Sequence, residues 1–235
     1  MSLTEPKQNL ILLHGALGAE TQFSGLKDLL NVQFNVFTLN LSGHGGSAIS
    51  GEFTLTQFEN DVLEFLDSNN ISAAHFFGYS MGGYVAVSLA GKNPSRVLSV
   101  FTLATKFIWT PEIAAKEIKM LDPEVIQQKV PKFAEQLQQR HAPADWKINM
   151  KVTADFMMWL GNNPPDENFY KKVNCPVCIS LGDRDTVAGV AETFSVLKLF
   201  PAASMVVIPD AQHPFETIPV NRIVYEIKEF IERKK

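Results

Sequence analysis

The chain predicts an α/β fold built on a mostly parallel sheet of about six strands, with helices on both faces. Three observations carry this. Short apolar runs alternate with segments of helical periodicity along most of the 235 residues. Almost every strand-like run ends in a loop rich in glycine or acid, which gathers the polar chemistry at one end of a sheet. One such run, His75-Phe76-Phe77, passes through Gly78-Tyr79-Ser80-Met81-Gly82 straight into the helical pattern Tyr84-Val85-Ala86-Val87-Ser88-Leu89-Ala90.

Composition bounds the reading before the elements are taken one by one. The 46% hydrophobic content suits one globular domain with a small insertion, and the net charge of -4 carries no basic nucleic-acid footprint. Arg233-Lys234-Lys235 is the one cationic cluster and reads as a solvated helix end. Met1 to Asn9 is polar and Leu10 to Leu13 is short, so neither a secretion leader nor a membrane span is expected, and a cytoplasmic protein is. Cys175-Pro176-Val177-Cys178 leads into a strand rather than a helix, and no second pair completes a thiolate site. Both cysteines are therefore expected to be buried structural thiols.

In chain order, Asn9 to Leu13 reads as a buried strand and His14-Gly15-Ala16-Leu17-Gly18 as the loop leaving it. That loop lacks the signatures of a phosphate or dinucleotide loop, and its Ala16 and Leu17 N–H groups are candidate donors. Ala19 to Leu30 is expected to be helical, with Phe23, Leu26 and Leu30 on one face. A second strand centred on Asn35 to Leu39 ends in the glycine-rich loop Asn40 to Ser47. His44 in that loop has no carboxylate placed to orient it and reads as a loop-organising residue. Thr54-Leu55-Thr56-Gln57 has the spacing of a capping box, followed by the apolar face Leu55, Phe58, Val62, Phe65 and Leu66. Ala73 to Phe77 is the third strand, its His75 a packed or edge residue. The helix Met81 to Ala90 stops at Gly91 to Pro94, and Val97 to Leu103 is the fourth strand.

The pattern changes from Ile108 to Asn163, where helical segments near Pro111 to Met120, Pro123 to Arg140 and Asp145 to Leu160 replace the alternation. All three tryptophans, Trp109, Trp146 and Trp159, lie there, and Phe156-Met157-Met158-Trp159 is adaptable apolar surface suited to roofing a pocket or to plain helix packing. Alternation resumes with a strand at Val177 to Leu181, the loop Gly182 to Val187, and a helical stretch through Ala191 to Phe200. A last strand follows at Ser204 to Ile208, then the loop Pro209 to Phe215 and a closing helix from about Pro219.

The chemistry follows from the strand-end loops. A serine hydroxyl needs a base to take its proton, and the base needs an acid to fix its tautomer and balance its developing charge. Ser80, an acid after the penultimate strand and His213 after the last strand meet that need in the order Ser, Asp, His. Asp183 and Asp185 share the acid loop; Asp185 lies farther from the strand end and is the better placed to reach His213, with Asp210 a third choice. Oxyanion donors would be the N–H of Met81 and that of Ala16 or Leu17. His14, Tyr79, Trp109, Met158 and Trp159 are expected to line the substrate pocket.

Together His14-Gly15, Ser42-Gly43-His44-Gly45, Gly78 to Gly83, Gly182 to Asp185 and Gln212-His213-Pro214 resemble the α/β-hydrolase superfamily, in the branch of small lidded esterases and carbon-carbon bond hydrolases. The resemblance covers nearly the whole chain. It implies Asp185 as the triad acid, a core at 1–107 and 164–235, and a helical lid at 108–163. The chain begins almost at the strand before the oxyanion loop, so the family's first two strands are expected to be missing and the sheet to have six. Asn40 stands where the family often has aspartate, and the lid is not arginine-rich, so an acidic substrate of the menaquinone-pathway type is not indicated. The implied function is a serine hydrolase cleaving a small or medium ester or a ketone, without cofactor or metal, as a monomer or homodimer. A carbon-carbon hydrolase or lyase using the same triad, and a noncatalytic ligand receptor, are the alternatives.

Overall fold

The computed structural model describes residues 6–49 and 51–233, so Met1 to Glu5 of the leader reading and Lys234-Lys235 of the basic tail lie outside the described residues. The six strands are β1 (Asn9–Leu13), β2 (Asn35–Thr38), β3 (Ala74–Tyr79), β4 (Val97–Leu103), β5 (Val177–Gly182) and β6 (Ala203–Ile208). They form one sheet in the order β2-β1-β3-β4-β5-β6, and all five pairings are parallel. β1, β3 and β5 are almost wholly buried, as expected of strands covered on both faces.

One face is covered by α2 (Leu55–Ser68), α3 (Met81–Lys92) and α9 (Val190–Leu197), whose Phe58, Val62, Leu66, Val85, Leu89 and Val196 join the larger core cluster. The other is covered by α1 (Ser24–Leu30) and α10 (Val220–Glu232). Ile223, Ile227 and Phe230 recur at helical spacing along α10 and are buried, each contributing about 1.5–3 kcal/mol by leaving water. Thr54 caps α2 as its spacing predicts, accepting the Gln57 N–H at 3.1 Å. The reciprocal half of the box is absent, because the Gln57 amide donates to Asp61 and Ser42 instead.

Between β4 and β5 stand α4 (Pro111–Glu117), α5 (Pro123–Lys129), α6 (Pro131–His141) and α7 (Trp146–Asn162), then the short α8 (Glu167–Lys171). The helix expected over Pro123 to Arg140 is two helices, because Pro131 has no N–H to continue the ladder and its ring crowds the preceding turn. The helix expected over Ala19 to Leu30 likewise starts as a 3-10 turn, Glu20–Phe23. A satellite core of Leu17, Ala134, Leu137, Trp146 and Met150 fastens α6 and α7 to the loop after β1. Cys178 is buried and Cys175 half-buried; both are free thiols, pushed up to about 11 by burial.

The strand order determines where a ligand can sit. The chain steps from β1 outward to β2 and then returns to the other side of β1 as β3, so the loops leaving β1 and β3 diverge at their carboxyl ends. Such a switch point opens a crevice. Leu13, the last residue of β1, is in register with Gly78, two residues before Ser80.

Candidate active site

Ser80 stands between β3 and α3 with φ 50° and ψ -115°, in the region that side chains other than glycine avoid. Its surroundings hold it there. Its N–H donates to the Leu103 carbonyl of β4 at 2.8 Å, and its own carbonyl accepts from Gly83 N–H and from the Thr105 hydroxyl, both at 3.0 Å. The turn demands glycine on both sides: a Cβ at Gly78 would collide with the backbone of Gly83, and one at Gly82 with the Leu13 carbonyl.

The loops after β5 and β6 are joined to each other. Asp183 N–H donates to the Ile208 carbonyl and Arg184 N–H to that of Ala211, each at 3.0 Å, while the Asp183 carboxylate accepts the Ala211 N–H at 3.3 Å. Arg184 pairs with Asp210. Asp183 and Asp210 are thereby occupied, and Asp185 is the acid that meets the histidine. His213 Nδ1–H donates to Asp185 Oδ2 at 2.9 Å and lies 3.1 Å from Oδ1. The carboxylate is fully buried and also accepts the N–H groups of Val187 and Ala188, both at 2.8 Å. With Nδ1 protonated, the Nε2 lone pair faces Ser80 Oγ at 3.4 Å. Ser80, His213 and Asp185 thus form the hydrogen-bonded series of a Ser-His-Asp triad.

Two spaces flank this series. The first is a narrow cavity of about 40 Å³, lined by Ala16, Ser80, Met81, Lys106, Trp109 and Thr153 and closed by apolar residues of α2, α3 and α7. The Met81 N–H opens a helix and has no intrahelical partner, and the Ala16 N–H donates to no protein acceptor among the described residues. The second space is a wide cleft of about 800 Å³, lined by Leu17, Tyr79, Gln136, Gln139, Arg140 and His213 among others. Ala16 borders both spaces, whereas Leu17 borders the cleft and not the cavity, its carbonyl accepting from Arg140 at 2.9 Å and His141 Nε2–H at 3.2 Å.

The structure brings only part of the expected pocket together. Trp109 lines the narrow cavity, whereas Tyr79 lines the cleft and donates its hydroxyl to the His213 carbonyl at 3.0 Å, its pKa pushed up by burial. Met157 is on the cavity wall and Met158 is not. Trp159 is 50% exposed and stacked on Phe156. His14 is buried behind the loop it starts: Nδ1–H donates to the Gly15 carbonyl at 2.8 Å and Nε2 accepts the Leu41 N–H at 3.1 Å. Desolvation lowers its pKa to about 4 and that of neighbouring His44 as well. His44 organises its loop as expected, donating Nδ1–H to the Ser42 carbonyl and stacking on Phe53.

Lys106 and Thr153 were not among the expected site residues. Lys106 follows the end of β4, a position that itself marks strand-end chemistry, and Thr153 shares the α7 face of Phe156, Met157 and Leu160 at helical spacing. Among the described residues no group of three or more His, Cys, Asp or Glu side chains is arranged to hold a metal ion. No helix among them is long and apolar enough to cross a membrane.

Comparison with known proteins agrees with this architecture. The 3-oxoadipate enol-lactonase 1 of Acinetobacter baylyi is 40% identical over 85 residues, 35% of this chain and 32% of that protein. A dihydrolipoyllysine-residue acetyltransferase component of the acetoin cleaving system of Cupriavidus necator is 40% identical over 95 residues, 40% of this chain and 25% of its own. The chain thus spans about a quarter to a third of the length of these curated relatives. The solved structure of a thermophilic esterase from Thermogutta terrifontis superposes with a TM-score of 0.79 over 98% of this chain and 92% of the other, at 20% identity, which shows a shared fold. The family described as alpha/beta hydrolase fold matches residues 8–146, more than half of the chain and inclusive of the β1 loop and the Ser80 turn, and the protein belongs to that family.

Proposed function

We propose that this protein is a serine carboxylesterase acting on small or medium esters. The observation that carries the reading is the continuous series from Ser80 through His213 to Asp185, with Ser80 held at the apex of a strained turn. His213 Nε2 takes the Ser80 proton as Oγ attacks the ester carbonyl, while Asp185 holds the Nδ1–H tautomer and balances the imidazolium charge. The oxyanion is received by the N–H groups of Met81 and Ala16, two residues that line one cavity; a donor of this kind typically lowers the barrier by about 3–4 kcal/mol. His213 then gives its proton to the leaving alkoxide, and water releases the acyl group from Ser80 by the same route.

The two spaces supply a polarity to the substrate. The acid that protonates the leaving oxygen must face it, and His213 lines the wide cleft. The alcohol side of the ester accordingly occupies the cleft and the acyl side the narrow cavity beside Ser80 and Met81. Residues 108–163 act as the lid over both, since α7 walls the cavity and α6 walls the cleft. The free cysteines suit a reducing compartment, which supports a cytoplasmic enzyme, working as a monomer or homodimer.

Labelling with a fluorophosphonate probe, alongside hydrolysis of a p-nitrophenyl ester panel, tests the proposal. The parent protein should be labelled at Ser80 and Ser80→Ala should be neither labelled nor active. Asp185→Asn should reduce kcat roughly 10⁴-fold and Asp183→Asn far less. A folded parent that takes no label, or a Ser80→Ala variant with parental turnover, overturns it.

A further inference from the structure

Two of the residues that line the narrow cavity carry a buried polar group with no partner among the described residues. Trp109 Nε1 and Thr153 Oγ1 are both buried and both lack a hydrogen-bond partner among the described residues, and both residues line the cavity that holds Ser80. Each departs from ordinary behaviour. A buried indole N–H nearly always finds an acceptor. A threonine within a helix commonly returns its hydroxyl to the carbonyl three or four residues back, and Thr153 in α7 makes no such bond. The two come from separate elements, the segment after β4 and the middle of α7, so one local distortion does not explain both. Elsewhere on the wall Leu55, Val85, Phe156 and Leu160 have no polar side-chain atom, and the Tyr84 hydroxyl is not bonded to either group.

The one cationic side chain on this wall limits what the acceptor can be. Lys106 Nζ is bound to the Val187 carbonyl at 2.7 Å and lies 3.4 Å from Glu192 and 3.7 Å from Glu117. It is only 11% exposed, and two carboxylates answer its one charge. No uncompensated cation is therefore available for an anionic acyl end. Two unpartnered neutral donors on residues that line a space without an uncompensated cation suit a neutral oxygen that accepts both.

We infer that the cavity selects acyl groups carrying a keto oxygen along the chain, accepted by Trp109 Nε1–H and Thr153 Oγ1–H together. The inference rests on the esterase reading only for which end of the substrate enters the cavity. A hydrocarbon acyl chain would leave both donors buried and unpaired, which penalises it against the keto chain.

The test compares p-nitrophenyl esters of levulinic, pentanoic and succinic acids, the last as the free half-acid, on the parent and on Thr153→Val, Thr153→Ser and Trp109→Phe. The expected parent preference in kcat/KM for levulinate over pentanoate is at least about tenfold, with succinate the poorest. That ratio should fall toward unity in Thr153→Val and Trp109→Phe and persist in Thr153→Ser, which retains a hydroxyl and serves as the control for packing damage. A parent ratio near unity, a ratio unchanged in both Thr153→Val and Trp109→Phe, or a preference for succinate overturns the inference. Should the parent hydrolyse none of these esters, the esterase reading fails separately, and calorimetric binding of ethyl levulinate and ethyl pentanoate to Ser80→Ala decides the point. Tighter levulinate binding that Thr153→Val abolishes sustains it, and equal binding sinks it.

Discussion

At the scale of single residues, the backbone of Ser80 is where stability and chemistry oppose each other. Its φ of 50° and ψ of -115° cost about 1–3 kcal/mol in a residue with a side chain, and the bonds to Leu103, Gly83 and Thr105 hold that conformation in place. Glycine tolerates it. Ser80→Gly should therefore be more stable than Ser80→Ala by about 1 kcal/mol, the strain relieved less the greater freedom of glycine in the unfolded chain, while both variants are inactive. Urea denaturation of the two variants at equal m-value checks this. Equal midpoints would mean that the turn stores no strain at its apex. The choice of acid was also a matter of single residues. Asp183 and Asp185 are alike in sequence, and what separates them is that Asp183 is spent on the Ala211 N–H whereas Asp185 receives two N–H groups and His213.

At the scale of elements, α7 decides the shape of the narrow cavity. Thr153, Phe156, Met157 and Leu160 fall on one face and wall the cavity, while Trp159 points away and is half exposed. Met157→Ala should therefore lengthen the preferred acyl chain by about one or two carbons, each methylene buried contributing roughly 0.8 kcal/mol, whereas Trp159→Ala should leave the ranking unchanged. Rates across an ester chain-length series measure both. A shift seen only in Trp159→Ala would place the acyl group on the other face of the helix. This is also where sequence reading reached its limit. The strands were legible because buried apolar runs end at glycine-bearing loops, and the order Ser80, Asp185, His213 was legible because each residue sits at a strand end. The phase of α7 was not. Phe156-Met157-Met158-Trp159 turns about 100° per residue and so places apolar side chains all around the helix, leaving no preferred face to read. Ala16 and Leu17 were indistinguishable for a related reason: they are neighbours in one loop, and only the docking of Leu17 against α6 and α7 separates it from Ala16, which borders the cavity of Ser80.

At the scale of the whole molecule, three buried histidines join segments that are far apart in the chain. His14 begins the loop after β1, His44 lies in the loop after β2, and His141 ends α6; the His44 ring centroid is 5.0 Å from that of His14 and 5.8 Å from that of His141. All three are depressed in pKa, first by desolvation. The hydrogen bonds of His14 and His141 demand the neutral form. His14 Nε2 accepts the Leu41 N–H and His141 Nδ1 accepts the Gly45 N–H, so a proton on either nitrogen would set donor against donor. The unfolded chain takes up these protons near pH 6.5, whereas folded His14 resists them to about 4. The stabilisation is therefore complete above about pH 6.5 and is lost as pH falls toward 4, on the order of 3 kcal/mol from His14 alone and about 2 kcal/mol of that by pH 5. His14→Gln offers Leu41 an amide oxygen near the place of Nε2 but cannot titrate. It should start less stable than the parent at pH 7 yet lose about 2 kcal/mol less between pH 7 and pH 5 in urea denaturation, because every other titrating group is common to the two proteins. Equal losses would assign the acid sensitivity to groups other than His14, and would separate the anchoring of the β1 loop from the protonation of its histidine.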